Sequence, residues 1–212
     1  MERMENPERP ADACRIYLVR HGTTTMNVEN RYRGRRDVPL DAQGWKDAAG
    51  AAWQLKDTGL AAVYAGPLER TRDTASVIAL AARVPGIQEH PGLVNLDYGD
   101  WEGLTSAEAA DRDPEAFRLY REWPAEAACP GGESLQEASD RIMAALQDIG
   151  ASHPGASVAA VSHAVMVRLA VGRVRASLDA DWRIPLPRGS TTPFDVIGGR
   201  VLLAGAPGSL AA

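Results

Sequence analysis

The chain reads as an α/β protein, a three-layer α/β/α sandwich around a central sheet, and three observations carry that expectation. Short apolar, β-rich runs recur at residues 16–19, 60–65 and 157–161, each followed by a stretch of helical periodicity. Each run stops abruptly, at Arg20-His21-Gly22, at Gly66-Pro67 and at Ser162-His163. No apolar run approaches the ~20 residues that a membrane span needs.

Taken in order, residues 1–13 are polar, carry Pro7 and Pro10, and lack the apolar core of a signal peptide. They are expected to form a loose, disordered tail ahead of a single domain over 14–207. After the first strand comes an arginine-rich loop, NRYRGRRDVPLD, over 30–41. A helix is expected over 41–57, with Asp41 as N-cap and Gly59 as its stop. Its apolar positions Trp45, Ala48, Ala49, Ala52 and Leu55 suit a core-facing stripe. The second strand, LAAVYA, leads into a helix over 67–82 with Pro67 at the first helical position. Residues 83–132 hold Pro85, Pro91, Pro114, Pro124 and Pro130, with short helical patches at 106–111 and 114–123. This stretch reads as an insertion across the strand ends, where lids and specificity loops sit. An amphipathic helix is expected over 133–149, closed by Gly150. The third strand, SVAAV, is followed by a helix to about 176. TPFDVI and RVLLAG, joined by Gly198-Gly199, read as a hairpin of edge strands, and 208–212 as a frayed end.

The whole chain narrows the function classes. Its 212 residues suit one domain, and 45% hydrophobic with 24% charged residues suits a soluble globular protein. A net charge of −5 argues against a general nucleic-acid binder. Cys14 and Cys129 form no disulfide framework or metal motif and are read as reduced thiols of a cytoplasmic protein. With four histidines and no metal-ligand spacing, no metal and no cofactor are expected.

Three strand ends supply the chemistry. The first gives Arg20 and His21, the second leads through GPLER to Arg70, and the third gives His163. Open α/β sheets hold ligands beyond the carboxyl ends of their strands. Two imidazoles and two guanidiniums at one sheet edge make a cationic pocket suited to phosphate, which guanidinium matches with parallel donors. The helix that starts after His163 adds a terminus that also favours anions. Gly22 lets the backbone turn closely, and Thr23, Thr24, Thr25 and Asn27 add short hydrogen-bonding groups. The guanidiniums should also disfavour protonation of His21, keeping its imidazole neutral and nucleophilic.

RHGTTTMN, GPLERTRDTA, YGDWEG, PGGESL and VSHAV, in that order, resemble the histidine phosphatase superfamily, in the branch that contains phosphoglycerate mutases. The resemblance runs from about Arg15 to Leu203. It implies a central, mostly parallel mixed sheet and a metal-independent phosphohistidine mechanism acting on a small anionic phosphorylated substrate, by a monomer or homodimer with no membrane or nucleic-acid partner. Carried over position by position, it makes His21 the nucleophile, with Arg20, Arg70, His163 and Asn27 around the phosphoryl group. Thr24, Arg33, Gly34 and Ala164 complete the expected substrate contacts.

One departure bears on mechanism. Where the family carries an acidic residue four positions before the Gly of its GxWEG segment, this chain has Asn95, and an amide is no general acid near neutral pH. Three readings stay open. Asp97, on the same side if the segment is extended, substitutes as acid; the substrate has a leaving group that needs no proton, such as an aryl or acyl phosphate; or the pocket serves a non-phosphatase biosynthetic step. Glu102 is read as structural. Phosphoglycerate mutase-type phosphotransfer is a further alternative, and a non-catalytic phospholigand-binding module another. The arginines at 31, 33, 35 and 36 either grip a second anionic group or form a solvated loop. Trp101, Trp123 and Trp182 either line a pocket for an aromatic substrate or pack the core and lid.

Overall fold

The computed structural model describes residues 9–28 and 30–208, without the side chains of Asn27 and Val28. The expected tail at 1–8 and the end at 209–212 lie outside the described residues. Residues 9–13 depart from a loose tail: Arg9 donates to the carbonyls of Gly155 and Ala156 and to the Ser157 hydroxyl, and Ala13 is buried.

Among the described residues, six strands form one mixed sheet: β1 (Cys14–Arg20), β2 (Leu60–Ala65), β3 (Gln88–Glu89), β4 (Ser157–Ser162), β5 (Thr191–Ile197) and β6 (Arg200–Leu203). Their spatial order is β3-β2-β4-β1-β5-β6. The pairs β3–β2, β2–β4 and β4–β1 are parallel; β1–β5 and β5–β6 are antiparallel, so TPFDVI and RVLL are the expected edge hairpin. Helices α2 (Ala42–Leu55) and α3 (Glu69–Ala82) cover one face. Helices α6 (Leu135–Ser152) and α7 (Ala164–Arg175) cover the other, giving the three layers. The remaining helices are α1 (Thr25–Val28), α4 (Ser106–Arg112), α5 (Pro114–Glu122) and α8 (Leu178–Asp181).

Several local expectations are corrected by packing. In α2 the buried residues are Gly44, Ala48, Ala51, Ala52 and Leu55, while Trp45 is 47% exposed. The stripe is rotated because a Cβ at Gly44 would stand 2.0 Å from the Thr23 carbonyl oxygen, and one at Gly22 would stand 2.3 Å from that of Gly44. Two facing glycines thus press the start of α2 against the turn after β1. Helix α3 begins two residues beyond Pro67, because Leu68 stays extended and caps the helix with its carbonyl. Gly150 does not close α6. The helix runs on to Ser152, and Gly150 is where Val196 of β5 approaches, a Cβ there lying 2.5 Å from that side chain.

The parallel register explains the site. Arg20 on β1 stands opposite Ser162 on β4, so the next residues, His21 and His163, leave the sheet side by side. Val161 of β4 is opposite Ala65 of β2, which brings the turn into α3, and with it Arg70, to the same edge.

Candidate active site

His21 is 2% exposed, and its Nδ1 lies 2.6 Å from the carbonyl oxygen of Gly22. A carbonyl only accepts, so Nδ1 carries the proton and Nε2 keeps its lone pair. The His163 ring stands with its centroid 5.0 Å from that of His21 at 65°, and neither of its ring nitrogens has a partner in the protein. Burial first, and then the guanidiniums of Arg70 and Arg33, hold His21 well below the usual histidine range. The same causes, with His21 itself, act on His163. Both rings are neutral at physiological pH.

Backbone carbonyls hold Arg20 and Arg70, and a hydroxyl holds Arg33, which leaves donors unengaged. Arg70 is fully buried; its Nη1 donates to the Arg36 carbonyl at 2.7 Å and its Nη2 to that of Gly34 at 2.9 Å. Arg20 donates to the Leu186 carbonyl, and Arg33 to the Thr24 hydroxyl at 3.4 Å. The Nε atoms of Arg20, Arg33 and Arg70 are all buried and unpartnered within the protein. Burial brings Arg20 and Arg70 down to about 10, so both remain cationic at neutral pH. Buried polar groups are nearly always satisfied, and this set of donors has the geometry to take the oxygens of an anion.

Asn95 reaches the same place. Its Nδ2 donates to the Gly34 carbonyl at 3.0 Å, and its buried Oδ1 has no partner in the protein. Arg141 on α6 fixes that segment by donating to the carbonyls of Gly92, Val94 and Asn95 while paired with Glu133 at 2.8 Å. Asp97 is drawn elsewhere. One carboxylate oxygen accepts from the Gly99 amide at 2.9 Å, the other stands 3.2 Å from Arg35, and Asp97 does not line the cavity. Glu102 clamps the arginine loop by accepting from the Arg35 amide at 2.7 Å. Gly34 sits at φ +52°, and a Cβ there would overlap the Glu102 carboxylate, so the loop turns tightly enough to aim Arg33 inward.

Around this floor lies a cavity of about 510 Å³. Arg20, His21, Arg33, Asn95, His163 and Ala164 line it; Arg70, Thr24 and Gly34 sit behind that surface. The Asn27 side chain lies outside the described residues. Of the three tryptophans, Trp182 lines the cavity; Trp101 is fully buried with its indole donating to Asp113, and Trp123 is 52% exposed. Sequence reasoning missed Arg121, Arg168 and Arg183, which also line it. Arg168 could have been found, because it follows Ala164 by four residues on α7 and shares its face. Arg121 and Arg183 carry no local signal.

Fold and site together define an α/β protein with paired buried imidazoles and an arginine-lined cavity at the carboxyl ends of its parallel strands. The family model of the histidine phosphatase superfamily (branch 1) matches residues 16–205. The chain belongs to the histidine phosphatase superfamily. It is 38% identical over 169 residues to a bifunctional protein of Mycobacterium tuberculosis, a match covering 78% of this chain and 44% of that one. The chain therefore spans less than half the length of the first curated relatives it matches. It is 35% identical to a metal-independent phosphoserine phosphatase of Arabidopsis thaliana, over 77% of this chain and 70% of the relative. Among solved structures, Bacillus stearothermophilus YhfR superposes with a TM-score of 0.83 at 33% identity, covering 90% of this chain and 95% of that one. The fold is that of the phosphoglycerate mutase-like histidine phosphatases. No helix among the described residues is long and apolar enough to cross a membrane.

Proposed function

We propose that this chain is a metal-independent phosphatase that hydrolyses a small phosphorylated metabolite through phospho-His21. The observation that carries the reading is the neutral His21 ring, its Nδ1 tied to the Gly22 carbonyl and its Nε2 free, buried beside His163 among guanidiniums with unengaged donors. Arg20, Arg70 and Arg33 would take the non-bridging oxygens, and positive charge fixed around the transferring group is the main source of catalysis in phosphoryl transfer. Nε2 of His21 attacks phosphorus in line, and the phosphorus–oxygen ester bond breaks toward the leaving oxygen. Water then attacks the phosphohistidine, releasing inorganic phosphate and the free imidazole. His163, with two unpartnered ring nitrogens, supplies a hydrogen bond to the phosphoryl group.

Asn95 shapes which esters react. It stands at the acid position implied by the family and has no proton to give, while Asp97 is tied to Arg35 and Gly99. A missing general acid typically lowers the rate by about 10²–10⁴-fold. The reading therefore favours leaving groups stable as anions, aryl or acyl oxides above alkoxides. The two buried free thiols, Cys14 and Cys129, fit a cytoplasmic setting.

The test is an alkaline quench of enzyme with p-nitrophenyl phosphate, followed by peptide mapping. Phosphate is expected on His21, lost in His21→Ala and unaffected by EDTA, with p-nitrophenyl phosphate turned over far faster than an alkyl phosphate. Phosphate release with no label on His21 would refute the mechanism, and equal aryl and alkyl rates would refute the leaving-group account.

A further inference from the structure

Six arginines line the cavity, at 20, 31, 33, 121, 168 and 183, and among the described residues no Asp or Glu lines it. Arg20 and Arg33, with Arg70 beneath them, already offer more positive charge than one phosphoryl dianion carries. Arg31 is neutralised by Glu108 at 3.0 Å. The other three are not. Arg168 donates from Nε and Nη2 to the Ile184 carbonyl, both at 3.2 Å, and Arg183 donates to the Arg121 carbonyl at 3.3 Å. These bonds tie Arg168 of α7 to the backbone after α8, and Arg183 to the backbone at the end of α5, where Arg121 sits; all three residues line the same cavity. Among the described residues, none of the three pairs with a carboxylate. Like charges gathered without a counter-ion repel one another, and an arrangement of this kind is relieved by a bound anion.

The wall beside this cluster is aromatic. Trp182 and Tyr120 meet edge to face at 5.2 Å, and Tyr32 and Tyr98 stand 4.7 Å apart. The hydroxyls of Tyr98 and Tyr120 bond each other at 3.0 Å. All four residues line the cavity. A planar ring lies well against such rings and against guanidinium planes.

We infer that the cavity takes an aryl phosphate whose ring bears a second anionic group, the phosphoryl end on His21 and the other anion on Arg121, Arg168 and Arg183. This identification of the substrate class rests on the phosphatase reading for its turnover, but not for its binding. It joins three constraints: the missing proton donor selects a leaving group stable as an anion, the aromatic wall narrows that to an aryl oxide, and the surplus arginines select a second negative charge.

Binding is tested by calorimetry with three non-hydrolysable probes: phenylphosphonate, 3-carboxyphenylphosphonate and 3-carbamoylphenylphosphonate. The carboxylate is expected to bind at least tenfold tighter than the other two. That advantage should fall below threefold in the double variant Arg121→Gln/Arg183→Gln and shrink with added salt. Equal affinity of the carboxylate and its neutral amide would overturn the second-anion site. 3-Phosphonopropionate, with the same charges and no ring, should bind more weakly than 3-carboxyphenylphosphonate, and equal binding would overturn the aromatic part. Turnover of phenyl phosphate separates the two ideas. Hydrolysis through His21 without any carboxylate preference sinks the second-anion site alone, whereas a carboxylate preference without hydrolysis sinks the reaction and leaves the ligand class standing.

Discussion

Replacing Asn95 by glutamate puts a carboxyl group where the chain now presents an amide. The side chain it replaces is 5% exposed and makes one bond, from Nδ2 to the Gly34 carbonyl at 3.0 Å. Losing that bond costs about 1 kcal/mol. The added methylene can extend into the cavity that Asn95 lines, so little overpacking follows. The gain is the transfer of a proton to the leaving oxygen, worth about 10²–10⁴-fold when the acid is well placed. Arg33 and Arg70 work against it, because neighbouring guanidiniums favour the ionised carboxylate, which has no proton to donate. The expected result is the low end of that range less the lost bond: about tenfold in kcat/KM for an alkyl phosphate such as β-glycerol phosphate. For p-nitrophenyl phosphate, whose oxide leaves unaided, the change should stay within about twofold. The alkyl rate should also rise as pH falls, since the protonated carboxyl is the active form. Phosphate release for both esters across pH 5–8, with the melting temperature of the variant as a folding control, gives the answer. An unchanged alkyl-to-aryl ratio in folded Asn95→Glu would refute the claim that the missing proton limits turnover.

Three further outcomes follow from contacts away from that residue. Gly44→Ala sets a methyl 2.0 Å from the Thr23 carbonyl oxygen, so the start of α2 must move off the His21 turn. A loss of about 2 kcal/mol, or ~4–8 °C in melting temperature, is expected by calorimetry, and an unchanged melting temperature would refute the close glycine contact. Arg141→Met frees the carbonyls of Gly92, Val94 and Asn95 and leaves Glu133 without its best partner. Stability should fall by about 2–3 kcal/mol in urea titrations, with activity lost as Asn95 shifts; unchanged stability and activity would show that Arg141 does not hold this segment. For the paired histidines, the folded state holds fewer protons than the unfolded chain below about pH 6.5, because both native pKa values are depressed and the unfolded ones are not. Stability should therefore drop as pH falls from about 6.5, by up to roughly 1 kcal/mol per pH unit for each ring, and stay level for these groups above about pH 7.5. His163→Asn should flatten that slope, and an equal slope in the variant would mean that other groups cause the loss.

What the sequence disclosed depended on whether the deciding interaction was local. His21 and His163 were legible because a β-rich run that stops at a histidine signals its own strand end, and the α/β alternation fixes which edge those ends share. The start of α6 was equally local, since its capping residues Ser134 and Glu137 sit three positions apart, yet the helix expected from 133 passed over that pair. Gly150 misled for the opposite reason: its lack of a side chain serves Val196, on a strand some 46 residues later, and not the end of its own helix. Trp45 fits a helical stripe by spacing, yet the buried face is set by Gly44 meeting Thr23.

The arginine loop shows the limit most clearly. Arg31, Arg33, Arg35 and Arg36 are equivalent in the sequence, and what sorts them is the position of distant acids. Glu108 takes Arg31, Asp97 and Glu133 take Arg35, and Glu102 takes Arg36. Arg33 alone of the four has no carboxylate partner among the described residues, and it turns inward to Thr24 and the imidazoles. The capture of Asp97 by Arg35 thus does two things at once. It keeps the Asp97 carboxylate out of the arginine-lined cavity, and it leaves Asn95 without an acidic neighbour on the cavity wall. A single outward arginine at 35 therefore couples the positive charge of the pocket to its shortage of proton donors. The charge that favours a second anion comes from elsewhere, from Arg121, Arg168 and Arg183 on α5, α7 and the segment after α8, so it arises separately from the shortage of proton donors.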